Sequence, residues 1–269
     1  MGYKYETHLH TRTASACGKS LGSEYIAYYK AMGYDGIFVT DHFFNGNTCV
    51  QKDLPWEEWV KGYCAAYHEA KAEGDKQGLK VFFGWETSYA GEDFLIYGLD
   101  ENWLLAHPDV RYWDQREQYE HIHADGGLVV QAHPYRERYY QTEVKLHPYH
   151  SDAWEVANGG NKPYQDVLAY DYAKAHGIIM TAGSDIHKVG ATSCGACFGV
   201  ITEKPICSEQ DYVDMIFSGK GYTLNVAEGW FLNGKQNPWF EVYEYSKDYK
   251  RVRLPDEVYP GAPKAADVN

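Results

Sequence analysis

Short apolar runs alternate with helix-like stretches along most of the chain. The runs have the length and residue content of buried strands, and they cover residues 3–10, 36–40, 79–83, 94–99, 128–132, 153–157 and 178–182. Amphipathic spacing predicts helices over residues 23–32, 55–77, 114–123, 164–176 and 208–218. Several predicted helices end at a glycine just before the next strand, which is a common signal of a helix C-terminus.

Strand, helix and strand in this order predict βα units with a parallel sheet, in the α/β class. Seven or so units in under 230 residues favour a closed or nearly closed barrel over the alternative, an open doubly wound sheet. No G-x-G-x-x-G or Walker loop supports the open version. Residues 239–254 alternate like a strand or hairpin, and 255–269 predict a loose tail. We therefore expect a barrel domain over 1–225, with 226–269 packed on it.

Composition narrows the class of protein. The 269 residues carry a formal charge of −13, with 44% hydrophobic and 23% charged residues, which is a globular balance. The acidic charge argues against a surface that coats nucleic acid. No apolar run approaches the roughly 20 residues of a membrane span, and the N-terminus lacks the apolar core of a signal peptide. The six irregularly spaced cysteines are expected to be reduced thiols, which predicts a cytoplasmic protein.

Histidines and carboxylates follow five of the predicted strands. They are His8 and His10, Asp41 and His42, Glu86, His133, and Asp185 and His187. In a parallel barrel the C-terminal ends of the strands meet at one rim. Mixed nitrogen and oxygen donors suit Zn²⁺, Mn²⁺ or Fe²⁺, and this set exceeds the needs of one tetrahedral ion. The sequence therefore predicts two or three divalent metal ions, with Glu86 able to bridge two of them at about 3.5–4 Å.

Each motif is weak alone, but their order along the chain is informative. They are H-L-H-T at residues 8–11, T-D-H at 40–42, G-W-E at 84–86, A-H-P at 132–134, W-E-V-A-N-G at 154–159 and G-S-D-I-H at 183–187. This series resembles the PHP (polymerase and histidinol phosphatase) superfamily over residues 5 to about 190. The resemblance implies a distorted (β/α)₇ TIM-like barrel with a metal cluster at the C-terminal ends of the strands, and a metal-dependent phosphoesterase.

The resemblance also implies a set of metal ligands. One ion would be held by His8, His10, Glu86 and Asp185. A second would share Glu86 and add Asp93 and His133, and a third would use His42 and His187. Two positions depart from the family pattern, since Ala16 stands where the family usually has Asp or His, and Asp93 stands where it usually has His. We therefore expect two firm metal sites and a third that is weak or absent.

The expected reaction is hydrolysis of a phosphoester, in particular a phosphomonoester, of a small soluble substrate by hydroxide formed from metal-bound water. Arg136 is the leading phosphate-binding residue, because a planar guanidinium matches phosphate; its alternative is a surface ion pair. Arg12, Lys19 and Lys188 are further candidate cations. Asn158 either hydrogen bonds a ligand or the substrate, or it forms a turn. His42 and His187 are candidate general acids if the third ion is missing.

Two other functions stay open at this point. One is a non-catalytic, metal-stabilised PHP module, and the other is a hydrolase of C–N or carboxyl ester bonds at a similar site. The C-x-x-C at Cys194 and Cys197 lacks a second pair, so we expect no metal or redox role for it. His121, His123, His147 and His150 are expected to face solvent. The sequence does not indicate the oligomeric state.

Overall fold

The structure is a computed structural model that describes residues 2–191, 198–232, 234–262 and 264. The strands are β1 (Tyr3–Glu6), β2 (Gly36–Val39), β3 (Lys80–Tyr89), β4 (Glu92–Tyr97), β5 (Leu128–Ala132), β6 (Glu143–Leu146), β7 (Ala153–Asn158), β8 (Ile179–Gly183), β9 (Gly199–Thr202), β10 (Tyr222–Asn225), β11 (Glu241–Tyr245) and β12 (Arg251–Arg253). The helices are α1 (Gly22–Ala31), α2 (Trp56–Gln77), α3 (Glu101–Ala106), α4 (Gln115–Ala124), α5 (Pro163–His176) and α6 (Glu209–Ser218). Short 3₁₀ turns cover Pro108–Tyr112 and Trp230–Leu232.

The main sheet curls into a nearly closed barrel. Its strand order over the described residues is β10-β9-β1-β2-β3-β4-β5-β7-β8. The segments that follow β8 and β1 close the gap, since the backbone nitrogen of His10 donates to the carbonyl of Ile186 at 2.9 Å. Thr7 Oγ1 also donates to the carbonyl of Ala182 at 2.6 Å. The prediction of an α/β, TIM-like barrel is confirmed.

The sheet is less regular than the sequence predicted. Strand β4 runs antiparallel to both β3 and β5, and β9 runs antiparallel to β1. The prediction of uniformly parallel βα units is therefore wrong at these strands. Ala90 and Gly91, both with positive φ (43° and 99°), join β3 directly to β4. Such a two-residue turn matches the twist of a hairpin, so no helix separates these strands.

Successive residues of each strand point to opposite faces of the sheet, so the core has one part inside the barrel and one part between the sheet and the helices. Phe38, Phe82 and Val130 point into the barrel, where they pack with Tyr97 and with Tyr212 of α6. The alternate positions pack outward against the helices. Aromatic side chains thus make up much of the barrel interior.

A small second sheet lies outside the barrel. Strand β11 pairs with β6 in parallel and with β12 in antiparallel order, so residues 239–254 form the predicted hairpin. Part of the predicted loose tail is held in place, since Tyr259 Oη donates to Asp171 at 2.8 Å. The boundary between 1–225 and 226–269 stays a prediction.

Candidate metal centre

The predicted ligands lie together at one rim of the barrel. His8 and His10 follow β1, which ends earlier than predicted, and His42 and His133 follow β2 and β5. Asp185 and His187 follow β8, Glu86 lies within β3, and Asp93 lies at the start of β4. The antiparallel direction of β4 brings its first residues to the rim where the parallel strands end, so Asp93 joins the cluster.

The first group of donors contains His8, His10, Glu86 and Asp185. Nε2 of His8 lies 3.3 Å from Oε1 of Glu86 and 3.5 Å from Oδ1 of Asp185. Nε2 of His10 lies 3.1 Å from Oδ1 of Asp185 and 3.5 Å from Oε2 of Glu86. Two ligands of one tetrahedral Zn²⁺, each bound at about 2.1 Å, are about 3.4 Å apart. The spacing of this group is therefore that of ligands around one ion.

The hydrogen bonds of His8 and His10 indicate which ring nitrogens face the centre. Nδ1 of His8 lies 2.9 Å from Oε1 of Glu155, and Nδ1 of His10 lies 3.2 Å from Oγ of Ser15. Ser15 Oγ already donates to Asp41, so it accepts from His10. With both Nδ1 atoms engaged behind the cluster, the Nε2 atoms of His8 and His10 lie 3.0 Å apart and are both directed at the same centre. The residues therefore fit a divalent ion.

A second group contains Glu86, Asp93 and His133. Nε2 of His133 lies 3.3 Å from Oε1 of Glu86 and 3.7 Å from Oδ2 of Asp93. One ligand atom from each of the three residues lies within 4.8 Å of the others. Glu86 is thus common to both groups, and Asp93 occupies the position that the sequence analysis assigned to it.

The third group contains His10, His42 and His187, whose donor atoms also lie within 4.8 Å of one another. Nδ1 of His42 lies 2.7 Å from Oε2 of Glu86. Both of these buried atoms nevertheless lack an aligned hydrogen bond. Two polar atoms that approach closely without aligning are typical of ligands directed at a common point. His8 and His10 are fully buried, whereas the His187 side chain is 33% exposed, so the third group lies on the solvent side.

Buried polar residues behind the ligands hold them in position. Oε2 of Glu155 accepts from the backbone nitrogen of His133 (3.2 Å) and from Nδ2 of Asn158 (2.8 Å). Oδ1 of Asn158 in turn accepts from Nη2 of Arg136 at 2.6 Å. The sequence analysis quoted the W-E-V-A-N-G segment but assigned no role to Glu155. The turn-forming alternative for Asn158 is found, because the backbone nitrogen of Gly160 donates to its Oδ1 at 2.7 Å. Such outer partners fix ring orientation and tautomer.

Two of the ligands have unusual backbone conformations. His133 and Asp185 have φ values of 32° and 52°, in the left-handed region that non-glycine residues rarely adopt. Strain of this kind persists where the surrounding structure enforces it, and it concentrates at functional sites. Both residues directly follow a strand or lie just beyond it, so the strain occurs where the chain turns to present a ligand.

The pKa values of the clustered side chains depend strongly on the charges of their neighbours. Burial alone would raise the pKa of Glu86, but the charges of His42 and His8 outweigh it and hold the pKa well below its ordinary value. Burial would likewise lower the pKa of His42, but Glu86 outweighs it and raises that pKa. Burial lowers the pKa of His10, and the charges of His42 and His187 lower it further. His10 is thus kept neutral, as a metal ligand must be.

All the donors except the fully buried His8 and His10 line an open cleft of about 880 Å³. Arg136 and Arg138 lie in its lining, whereas Arg12, Lys19 and Lys188 do not. Nη2 of Arg136 lies 2.7 Å from Oδ2 of Asp185, and its Nε donates to Asn161 at 2.8 Å. Arg136 therefore orients a candidate ligand, in an ion pair that is buried rather than on the surface. The sequence analysis missed Arg138.

The turn after H-L-H-T differs from the sequence-based expectation. Ala16 is exposed and does not line the cleft, whereas Cys17 does. Cys17 lines the cleft together with His42 and His187. Burial would raise the pKa of the Cys17 thiol, but these two imidazoles lower it to about 6. Ala16 therefore contributes no donor to the cluster, and the match of this turn to the family pattern stays a prediction.

Two other expectations concern the remaining histidines and the C-x-x-C motif. His147 and His150 are buried, not solvent-facing, because they stack on Tyr245 and Tyr249 of the β11–β12 hairpin. His121 and His123 are exposed as expected. The C-x-x-C at 194–197 lies outside the described residues. Among the residues that the structure describes, no helix combines the length and apolar character needed to cross a membrane.

The similarity of this chain to known proteins is seen in structure comparisons and not in sequence comparisons. A scan of protein-family models found no match, and neither did a search of curated protein sequences. A two-domain protein from Bacteroides vulgatus, described as containing a predicted PHP-like metal-dependent phosphoesterase, is similar with a TM-score of 0.56 and 14% identity. The alignment covers 83% of this chain and 64% of that one, so this chain spans less than two thirds of its length.

Two further structures are less similar. A protein from Bifidobacterium adolescentis, provisionally assigned as a metal-dependent phosphoesterase, has a TM-score of 0.47 at 16% identity, with 70% of this chain and 89% of that one covered. An amidohydrolase from Chromobacterium violaceum with bound sulfate has a TM-score of 0.46 at 16% identity, with 68% and 87% covered. The Bacteroides comparison, with its higher TM-score, shows that this chain and that protein share a fold over the aligned region.

Proposed function

We propose that the protein is a metal-dependent hydrolase that cleaves a phosphoester, in the first instance a phosphomonoester, of a small soluble substrate. One observation carries the proposal. Imidazole and carboxylate donors from separate strand ends meet at the floor of a cleft that also presents two arginines. A cleft of this volume suits a small molecule.

Bound divalent cations would supply Lewis-acid polarisation of a phosphoryl oxygen and would lower the pKa of a coordinated water. His8, His10, Glu86 and Asp185 would hold one ion, and Glu86, Asp93 and His133 a second. His42 and His187 would hold a third, or one of them would pass a proton to the leaving oxygen if that position is empty.

The surrounding residues would prepare the site for an anionic substrate. Arg136 keeps Asp185 in place through its ion pair, and we propose that its guanidinium also contacts the phosphoryl oxygens. Arg138 lies in the same lining and donates to the carbonyl of Gly160 at 2.5 Å. These two cations offset the negative charge of the protein locally, which an incoming phosphate dianion requires.

A substrate panel with metal analysis tests the proposal. The purified full chain would be assayed with phosphomonoesters, phosphodiesters and amides, with Mn²⁺ or Zn²⁺ and with a chelator. We expect phosphate release that the chelator abolishes and that His10→Ala removes together with bound metal. His68→Ala is the matched control, because His68 is an exposed histidine on α2 outside the cleft. Amide cleavage without phosphate release, or metal binding without turnover, would overturn the phosphoesterase proposal.

A further inference from the structure

Arg136 is held by two asparagines, and each asparagine is itself held by a buried carboxylate. Nη2 of Arg136 donates to Oδ1 of Asn158 at 2.6 Å, and its Nε donates to Oδ1 of Asn161 at 2.8 Å. On the other side of each amide, Nδ2 of Asn158 donates to Glu155 and Nδ2 of Asn161 donates to Asp166, both at 2.8 Å. The guanidinium is therefore fixed by two pairs of an amide and a carboxylate.

The carboxylate of Asp166 determines which way the Asn161 amide points. A guanidinium can only donate hydrogen bonds, and an ionised carboxylate can only accept them. An amide between the two satisfies both partners in one orientation, with its oxygen toward Arg136 and its nitrogen toward Asp166. Asp166 is fully buried and Asn161 is nearly so, so the amide has little access to bulk water. The bond from Nε of Arg136 thus depends on Asp166.

Trp230 supports this carboxylate from a part of the chain that follows the barrel strands. Its indole Nε1 donates to Oδ2 of Asp166 at 2.9 Å, and the backbone nitrogen of Asn158 donates to the same oxygen at 3.2 Å. The indole also packs against Phe198, with ring centroids 5.0 Å apart. Burial raises the pKa of Asp166 to about 7, and the bonds from Asn161 and Trp230 oppose that rise. Trp230 therefore helps to keep Asp166 ionised and in place.

A second contact ties the loop that carries the cleft arginines to the same part of the chain. Glu137, which lies between Arg136 and Arg138, is fully buried. Its Oε1 accepts from the backbone nitrogen of Phe240 at 2.6 Å, and its Oε2 accepts from Tyr164 Oη of α5 at 2.7 Å. Residues beyond the last strand of the main sheet thus contribute to the support of the cleft.

We propose that Asp166 and Trp230 are positioning residues for Arg136, and that through Asn161 they hold its guanidinium where it contacts an anionic substrate. The proposal rests on the proposed function, because it takes the guanidinium to bind phosphoryl oxygens. It gives a role in substrate binding to Trp230, which does not itself line the cleft.

Labelling of the full chain with phenylglyoxal at pH 8 tests the positioning without relying on activity. The reagent modifies accessible guanidinium groups, and tandem mass spectrometry reads each arginine separately. The Arg136 side chain is only 10% exposed. Trp230→Phe removes the N–H donor and keeps an aromatic ring, whereas Asp166→Asn removes the acceptor that orients Asn161. Each variant should speed labelling of Arg136 relative to exposed Arg116 by about two- to tenfold, the equivalent of one net hydrogen bond.

Tyr259→Phe is the matched control. It also removes one donor to an aspartate of α5, since Tyr259 Oη donates to Asp171, but neither residue lines the cleft. Calorimetry with inorganic phosphate and metal-loaded protein gives the second measurement. Phosphate should bind about two- to tenfold more weakly to Trp230→Phe, with unchanged metal content, and normally to Tyr259→Phe.

The outcomes separate this proposal from the proposed function. Unchanged labelling of Arg136 in Trp230→Phe, or an equal rise in Tyr259→Phe, would overturn the positioning role, and Trp230→Phe decides this even if Asp166→Asn fails to fold. Faster labelling with unchanged phosphate binding would overturn the link to the substrate. A natural protein that releases phosphate from no ester would overturn the proposed function, while the labelling would still show whether Asp166 and Trp230 hold Arg136.

Discussion

Replacing Glu155 by glutamine tests whether the residues behind the ligands set metal affinity. Oε1 of Glu155 lies 2.9 Å from Nδ1 of His8, and Oε2 accepts from the His133 backbone and from Asn158. A glutamine keeps the shape but turns one acceptor into a donor. If the amide NH₂ faces His8, that ring must present its protonated nitrogen to the metal. If the amide NH₂ faces away from His8, it meets two other donors, the backbone nitrogen of His133 and Nδ2 of Asn158.

The first orientation costs His8 the lone pair that faces the centre, and the second sets donors against a donor in a fully buried place. Loss of such an outer partner typically weakens metal binding by about 10–100-fold, or roughly 1.4–2.7 kcal/mol. We expect a loss in this range for the tightest Zn²⁺ equivalent, measured by competition with a chromophoric chelator. The overall fold, followed by circular dichroism, should be kept.

Asp152→Asn is the matched control, because Asp152 precedes the same strand, β7, at its other end. It bonds the backbone of Val129 and pairs with His123, and it contacts no candidate ligand. An unchanged affinity in folded Glu155→Gln, or an equal loss in Asp152→Asn, would refute the idea that Glu155 orients His8.

Three further predictions concern other parts of the molecule. Asp185→Asn should lower metal content and activity by at least tenfold, because the variant loses a ligand charge and strands Arg136 without its ion pair; normal metal content by elemental analysis would contradict this. Trp59→Ala should lower the free energy of unfolding by about 3–5 kcal/mol, since Trp59 is fully buried and stacks on Tyr63 at 4.9 Å; a loss below 1 kcal/mol in urea titration would contradict it. The raised pKa of His42 means that its contribution to metal-free stability is complete below about pH 6.5 and is lost as pH rises through the folded-state pKa. Metal requires the neutral ring, so the gain in Tm on adding Zn²⁺ should grow with rising pH; a gain that is constant from pH 6 to 8.5 would contradict this.

The barrel and the convergence of the ligand candidates at one rim could both be predicted from the sequence, because both depend on local periodicity and on residues placed at strand ends. Strand direction was not predictable in the same way. A period of two residues looks the same in parallel and antiparallel strands, and the Ala90–Gly91 turn that reverses β4 is a weak signal. Asp93 was found through family resemblance, not through strand direction.

Long-range packing accounts for the other differences. His147 looks like a surface residue until the β11–β12 hairpin covers it with Tyr245. Cys17 was missed because counting along a motif does not show which residue of a turn faces inward; the close approach of Gly18 to Thr11 decides that. Glu155 lies in the middle of a strand, and its role depends on His8, which is far away in the chain.

The hairpin of β3 and β4 makes ligand placement depend on register. Ser88 pairs with Asp93, and Asp93 in turn pairs with Ala132, next to His133. Adding or removing one residue on β4 ahead of Asp93 would turn that carboxylate to the opposite face of the sheet. A substitution at residue 93, in contrast, changes the donor atom without moving the backbone. A single point mutation can therefore exchange oxygen for nitrogen at this corner of the cluster, whereas a change of hairpin length by one residue would remove the donor from it.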